Sequence, residues 1–275
     1  MYLDHFGLSE LPFGITPDTS YTVVTRSHQE ALNTLLVALG SGEGFIKITG
    51  EVGTGKTLLC RRLLQALPAG SVSAYLPNPY LAPRTLLLAL AEELGVDIGI
   101  DSDDYHLLQR VNRTLLAHAA ADRRVVVCID EAQAMPLETL ESLRLLSNLE
   151  TEKRKLLQIV LFGQPELDRK LADSSVRQLL QRIAFHYRLD GLGRQEVANY
   201  LAHRLRVAGY RGEAVFGASA VRCLHRASRG TPRLLNILAH KALLAVYGEG
   251  RHAVRPAHVR RAVADTEGAA SAGWW

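Results

Sequence analysis

The stretch that decides the fold is Gly50-Glu51-Val52-Gly53-Thr54-Gly55-Lys56-Thr57, which fits the pattern G-x-x-x-x-G-K-[ST] at every fixed position. The apolar segment Phe45–Thr49 before it predicts a short strand, and the pattern of Lys56–Leu67 after it predicts a helix closed by a proline. Glycines let backbone N–H groups turn inward around an anion, and a helix start adds partial positive charge. The sequence therefore predicts a phosphate-binding loop rather than a chance glycine-rich turn.

The same loop predicts ATP and Mg²⁺ as ligands. Lys56 has the length to reach the β- and γ-phosphates, and the hydroxyl of Thr57 is a ligand for Mg²⁺. The full set of predicted nucleotide contacts is Gly50, Glu51, Val52, Gly53, Thr54, Gly55, Lys56, Thr57 and Leu58.

A second signal is the apolar run Val125–Ile129, which ends in Asp130 and Glu131. Such a run predicts a strand buried on both faces, and ligands bind at the carboxyl ends of parallel strands. We expect Asp130 to hold Mg²⁺ through its water shell and Glu131 to orient and polarise an attacking water. The alternative is a strand that merely ends in solvated acids, which the preceding phosphate loop makes less attractive.

The segment Val72–Ala120 lies between these two motifs and contains one strand, Val72–Leu76. We expect this strand to lie between the phosphate-loop strand and the Asp130 strand. That arrangement is typical of P-loop ATPases with a catalytic glutamate and disfavours the simple kinase-like branch.

A third signal is Gln164, which follows the buried strand predicted over Leu156–Phe162. A polar side chain at the end of a strand beside the acidic one is placed to bridge the γ-phosphate and the attacking water. The alternative is an ordinary glutamine in a loop.

Three arginines are candidates for contact with phosphate. Arg177 and Arg182 precede the last predicted strand, Ala184–Leu189, where an arginine can reach the γ-phosphate of a neighbouring subunit. Arg233 follows Pro232, a residue suited to the first turn of a helix, so it is expected to point back toward ATP. For each of them a solvated helix face is the alternative.

The alternation of strands and helices predicts an α/β fold with a three-layer α/β/α parallel sheet. After about residue 191 the pattern becomes purely helical, which predicts a C-terminal helical lid. We expect four parts: an N-terminal lead-in over residues 1–26, a nucleotide-binding domain over 27–191, the lid over 192–266 and a tail over 267–275 that ends in Trp274–Trp275. The lid helices are predicted at Gln195–Val207, Ala218–Ala227, Pro232–Val246 and Pro256–Val263.

Composition and charge limit the class of protein. The chain has 275 residues, 47% of them hydrophobic, so it can bury a core without disulfides. Its net charge is only +4, but Val176–Arg261 holds sixteen Lys and Arg against four Asp and Glu. Solvated helix faces, an acidic partner and a nucleic acid all fit that excess. Three cysteines without a C-x-x-C pair, no secretory signal and no membrane-length apolar run predict a reduced cytoplasmic location and no direct membrane insertion.

Together these residues resemble the AAA+ ATPases of the general secretion pathway protein A type, and among them the shorter ATPases of MSHA pilus biogenesis. The resemblance covers nearly the whole chain. It rests on Tyr2–Leu8 with Leu11–Phe13, Arg26–Leu32, Gly50–Thr57, Ile129–Gln133, Phe162–Leu167 and Gly230–Asn236. Secretion-type members continue into a transmembrane helix and a peptidoglycan-binding domain, which these 275 residues do not contain. We therefore expect a relative of the pilus type.

The resemblance implies a role for each candidate. Asp130 and Glu131 would be the Walker B pair, Gln164 sensor 1, Arg233 sensor 2, and Arg182, rather than Arg177, the arginine finger. It also implies that residues around Phe13 and Thr25–His28 flank the adenine, and that ATP drives assembly of a homo-oligomeric ring.

The expected function is to power or regulate assembly of a type IV (MSHA-type) pilus or a type II secretion machine. The expected partners are inner-membrane assembly proteins, through which the chain would sit peripherally at the inner membrane. Related AAA+ proteins also serve DNA transposition or replication, and the basic lid keeps that alternative open.

Overall fold

The computed structural model describes residues 2–14, 21, 23, 25–98, 103–151 and 154–270. Trp274 and Trp275 of the predicted tail lie outside the described residues. Contacts divide the chain into two compact units. We call Ser27–Gly50 with Gly55–Leu189 the sheet unit, and Met1–Arg26 with Glu51–Thr54 and Asp190–Trp275 the helical unit. The four-part division expected from the sequence stays a prediction.

The described residues form the following helices and strands, in chain order: α1 (Tyr2–Phe6), α2 (Arg26–Gly40), β1 (Phe45–Gly50), α3 (Lys56–Ala66), β2 (Val72–Leu76), α4 (Pro83–Glu93), α5 (Asp104–Ala120), β3 (Val125–Ile129), α6 (Leu137–Leu146), β4 (Gln158–Gly163), α7 (Glu166–Leu171), α8 (Arg177–Leu180), β5 (Ile183–Leu189), α9 (Arg194–Val207), α10 (Ala218–Ser228), α11 (Pro232–Gly248) and α12 (Pro256–Ala264). Short 3-10 turns lie at Ala132–Ala134 and Ser174–Val176.

The five strands form one parallel sheet in the order β2-β3-β4-β1-β5. Successive residues of a strand point to opposite faces, so the sheet supports two separate apolar clusters. Ile46, Ile48 and Val126 pack on one face with α2 and α3, while Phe45 and Val127 pack on the other face with α4 to α6. The predicted three-layer α/β/α fold is confirmed.

One topological prediction is wrong: β2 does not lie between β1 and β3 but at the edge of the sheet, and β4 fills the central place. The burial of the strands gives the physical reason. All six residues of β4 are buried, as a strand with two neighbours and two covered faces requires, whereas Ser73 of β2 is exposed. The central strand therefore comes after the acidic motif in the chain, not before it.

The predicted strand Leu156–Phe162 also needs a small correction, because β4 begins two residues later, at Gln158. Leu156 instead closes a tight connection, donating its N–H to the carbonyl of Leu149, next to a bridge between Glu150 and Lys155. Leu156 and Leu157, the two residues before the strand, are still buried, so the apolar signal was real but extends beyond the strand.

The helical unit contains α9 to α12, close to the four predicted positions, and also α1, which the sequence pattern did not indicate. α1 is only five residues long, but Tyr2 and Phe6 are buried in the core of this unit. The Tyr2 hydroxyl lies 2.9 Å from Nδ1 of His240 on α11. Burial raises the pKa of Tyr2 to about 12, which keeps the phenol protonated.

Arg204 on α9 connects the N-terminal segment to this core. Its guanidinium is buried, donates to the carbonyl oxygens of Pro12 and Gly14, and lies 4.5 Å from the ring centre of Tyr21. Asn236 donates a further hydrogen bond to Gly14. The segment predicted as a lead-in is therefore a structural part of the helical unit.

The end of α11 is joined to α12 by a cluster of charges around Glu249. Its carboxylate lies 3.0 Å from Nε2 of the buried His258, 2.8 Å from Arg261 and 3.6 Å from Arg251. Nδ1 of His258 accepts the N–H of Arg255, so the ring proton is assigned to Nε2 and points at Glu249. The hydrogen bond from His258, followed by the positive charges of the cluster, lowers the pKa of Glu249.

A lowered pKa in the folded state means that this carboxylate stabilises the fold above its unfolded pKa, and that the gain is lost as the pH falls through the folded pKa. We expect Glu249→Gln to lower the urea midpoint at pH 7. The difference between the urea midpoints of variant and parent should become smaller as the pH is lowered below about 4. If the two urea midpoints differ by the same amount at every pH, ionisation of Glu249 contributes nothing to the stability of the fold.

Candidate nucleotide-binding site

The phosphate loop requires glycine at two positions. Gly53 has φ +81° and Gly55 has φ +93°, in the left-handed region that other residues avoid. A Cβ on Gly55 would lie 2.7 Å from Nε2 of His28, and a Cβ on Gly53 would lie 2.6 Å from Cβ of Arg233. Backbone conformation and close packing therefore both select the glycines of the motif.

Helix α3 starts directly after this loop. Gly55 precedes it without a side-chain cap, so no side chain at that position satisfies the N–H groups of the first turn. Lys56 is buried, and its ammonium donates to the carbonyl of Gly50, 2.8 Å away, at the other end of the loop. The loop thus presents amides and one ammonium around a single turn, which is the chemistry of an anion site.

The Thr57 hydroxyl meets the acid at the end of β3. Thr57 Oγ1 donates to Oδ2 of Asp130 at 2.6 Å, and the N–H of Glu131 donates to Oδ1 at 2.9 Å. Asp130 is buried. A hydroxyl oxygen beside a carboxylate is a donor set suited to Mg²⁺, which prefers hard oxygen ligands and keeps several waters. The residues therefore fit the predicted ion.

Tyr75 is a neighbour of this pair that the sequence analysis missed. It lies on the edge strand β2, and its hydroxyl is 3.5 Å from Oδ2 of Asp130. Burial, followed by the negative charge of Asp130, raises the pKa of Tyr75 to about 12, so the phenol keeps its proton and faces the carboxylate as a donor. The only sequence signal was its position near the end of a strand.

Glu131 is held by two amide side chains. Its Oε2 accepts hydrogen bonds from Nε2 of Gln133 at 2.5 Å and from Nε2 of Gln164 at 3.1 Å. Glu131 has φ +51°, a left-handed conformation that costs energy for a residue with a side chain. The predicted neighbours Glu131 and Gln164 do lie together, and Gln133 was missed because it was read only as part of the Ile129–Gln133 run.

The predicted arginines lie in different settings. Arg182 and Arg177 are exposed, and Arg182 donates to the hydroxyl of Ser147 at 2.8 Å. Within the described part of the sheet unit, no hydrogen bond or ion pair joins either arginine to Asp130 or Glu131. Arg233 is the second residue of α11, with its Cβ against Gly53 as noted above. The catalytic and sensing roles of all these residues stay predictions.

Three negative findings apply to the described residues. No group of three or more His, Cys, Asp or Glu is arranged to hold a metal ion. None of the helices is both long and apolar enough to span a membrane. The three cysteines are free, and Cys60 and Cys128 are buried among apolar residues.

Comparison with known proteins identifies the class. Residues 38–171 match the family model of an AAA domain. The same fold occurs in the ORC2 protein of Aeropyrum pernix, solved as ADPNP-ADP complexes: it is 20% identical with a TM-score of 0.63, and the match covers 96% of this chain and 73% of that one. The ORC1 protein of the same organism, solved in complex with DNA, is 20% identical with a TM-score of 0.59, over 92% and 69% of the two chains. With its sheet order and phosphate loop, the chain is an AAA+ P-loop protein.

Within this class the chain is similar to the general secretion pathway protein A type. It is 43% identical to General secretion pathway protein A of Aeromonas hydrophila, over all 275 residues of this chain and 50% of that protein. The chain thus spans half the length of this curated relative. The predicted closeness to the MSHA pilus ATPases stays a prediction.

The geometry of the loop gives a stability prediction. Gly55→Ala adds both left-handed strain and a clash with His28, whereas Gly70→Ala adds the strain alone, because Gly70 has φ +90° and no atom within 4 Å of its Cβ position. We expect Gly70→Ala to lower the free energy of unfolding by about 1 kcal/mol, and Gly55→Ala to lower it by a further 1–3 kcal/mol or so. Urea unfolding of the two variants measures the difference, and equal losses would show that the His28 contact relaxes freely.

Proposed function

We propose that this chain binds MgATP on the Gly50–Thr57 loop and hydrolyses it. The single observation that carries the proposal is the 2.6 Å contact between Thr57 Oγ1 and Asp130 Oδ2. It puts two ligands for Mg²⁺ at the first turn of the helix that follows the phosphate loop. Gly50 to Leu58 supply the nucleotide contacts, and Lys56 neutralises charge on the β- and γ-phosphates.

The remaining side chains complete the proposed mechanism. Bound Mg²⁺ supplies charge neutralisation at the phosphates. Glu131 orients the attacking water and accepts its proton, while Gln164 contacts the γ-phosphate from the neighbouring strand end. Arg233 adds positive charge from the start of α11. Arg182, which is exposed, acts on the γ-phosphate of a second copy of this chain in a ring.

A variant of Glu131 tests hydrolysis apart from binding. Glu131→Gln keeps the size and polarity of the side chain but cannot accept a proton. We expect it to bind ATP as the parent does and to lose turnover by about 100-fold, measured by phosphate release and by calorimetric titration. Unchanged turnover would remove Glu131 from the mechanism, and loss of nucleotide binding would show that the substitution disturbs the site itself.

The cellular role proposed for this ATPase is to power or regulate assembly of a type IV (MSHA-type) pilus or a type II secretion machine. The support is its 43% identity to a protein named for the general secretion pathway. On this proposal it acts on the cytoplasmic side and reaches the inner membrane only through assembly proteins. The Glu131→Gln variant, held in its ATP state, should capture those proteins more strongly with ATP than without it.

A second candidate function, ATP-dependent DNA binding in transposition or replication, is favoured by α10. Arg222 and Arg226 are exposed and lie one turn apart on this helix, and Arg229, also exposed, is the residue that caps its C-terminal end. None of them has an acidic partner within 4.0 Å in the part of the chain that the structure describes. A row of unpaired arginines suits the phosphate backbone of a nucleic acid. A solved relative of the same fold was also obtained in complex with DNA.

Salt dependence tests this second function. If α10 binds duplex DNA, affinity should fall linearly in a log–log plot against salt. Replacing Arg222, Arg226 and Arg229 by alanine should then reduce the slope by about 2–3. Arg113→Ala, an exposed arginine on α5, is the control and should leave the slope unchanged. No binding of the parent protein at low salt would end this alternative.

A further inference from the structure

The amide of Gln133 joins two groups at the edge of the sheet. Its Nε2 donates to Oε2 of Glu131 at 2.5 Å, while its Oε1 accepts the backbone N–H of Gln164 at 2.9 Å. One side chain therefore connects the carboxylate after β3 to the backbone after β4. Glutamine combines a donor and an acceptor at this length, which glutamate, leucine and methionine do not.

The position of Gln133 is itself fixed from two sides. Lys170 on α7 donates to the carbonyl oxygens of Gln133 and Met135, both at 2.6 Å, which holds the turn after Glu131. Gly163 borders the amide as well: a Cβ there would lie 2.7 Å from Cδ2 of Leu167 and 3.3 Å from Oε1 of Gln133. The amide is therefore partly buried and hydrogen-bonded through both its nitrogen and its oxygen.

The consequence for Glu131 is a single orientation of its carboxylate. Both amide donors reach Oε2, and among the described residues Oε1 has no hydrogen-bond partner. We propose that Gln133 is a positioning residue, which holds Oε2 so that Oε1 faces the attacking water. Because Oε1 of Gln133 accepts the N–H of Gln164, the orientation of the Glu131 carboxylate also depends on the backbone position of Gln164. This inference rests on the proposed hydrolysis of ATP.

Kinetics of two Gln133 variants test the inference. Gln133→Ala removes the donor, so we expect kcat to fall about tenfold or more, while KM for ATP and the nucleotide affinity change less than about twofold. Gln133→Met keeps the length of the side chain but has neither donor nor acceptor for these two hydrogen bonds. Its kcat should therefore fall as in Gln133→Ala with KM unchanged, whereas a role in packing alone would leave kcat close to that of the parent.

Two further variants serve as support and control. Lys170→Met keeps the Gln133 side chain but loosens its backbone, so kcat should fall by less than in Gln133→Ala and KM should again stay constant. Gln195→Ala, at an exposed glutamine on α9, should leave both constants unchanged. Thermal melting of each variant separates misfolding from a loss of positioning.

Two results would overturn the inference: a Gln133→Ala enzyme whose kcat equals or exceeds that of the parent, or a Gln133→Met enzyme as active as the parent. Either result would leave the proposed ATPase activity standing. An inactive parent protein, in contrast, would remove the proposed function itself, so the two failures are distinguishable.

Discussion

The partly buried hydrogen bond between Thr57 Oγ1 and Asp130 Oδ2 is the contact on which the rest of the site depends. It requires the start of α3 and the end of β3 to meet, and apolar packing achieves this. Leu59 and Cys60 of α3 are fully buried in the same cluster as Cys128 of β3. The burial of apolar side chains, which has no preferred direction, thus brings the hydroxyl and the carboxylate close together. The hydrogen bond between them then determines their relative orientation.

Local signals in the sequence predicted the fold well, because they act over a few residues. The glycines of the loop, the apolar run before Asp130 and the proline before Arg233 each determine their own backbone. Strand order is different, because it depends on which strand can be buried on both faces. The chain order placed β2 between the two motifs, but its exposed Ser73 keeps it at the edge, and fully buried β4 takes the centre.

The contacts within the site were predictable only in part, for a related reason. The register between β3 and β4, in which Ile129 lies opposite Leu161, decides which side chains meet beyond the strand ends. Gln164 was foreseen because a polar residue ending a buried strand is conspicuous. Tyr75 and Gln133 were missed because a tyrosine in a strand and a glutamine in a turn are ordinary until the register brings them to a carboxylate.

The network around Glu131 also explains how a strained backbone conformation is kept at this edge of the sheet. Left-handed strain at Glu131 costs about 1–3 kcal/mol and persists only where surrounding contacts over-determine it. Gln133, Gln164 and Lys170 provide those contacts, so hydrogen bonds within the protein hold this edge of the sheet. Lys56 is held in a similar way, because its ammonium donates to the Gly50 carbonyl. An ammonium has three N–H donors, so on the proposed function Lys56 can keep this hydrogen bond and still contact a phosphate.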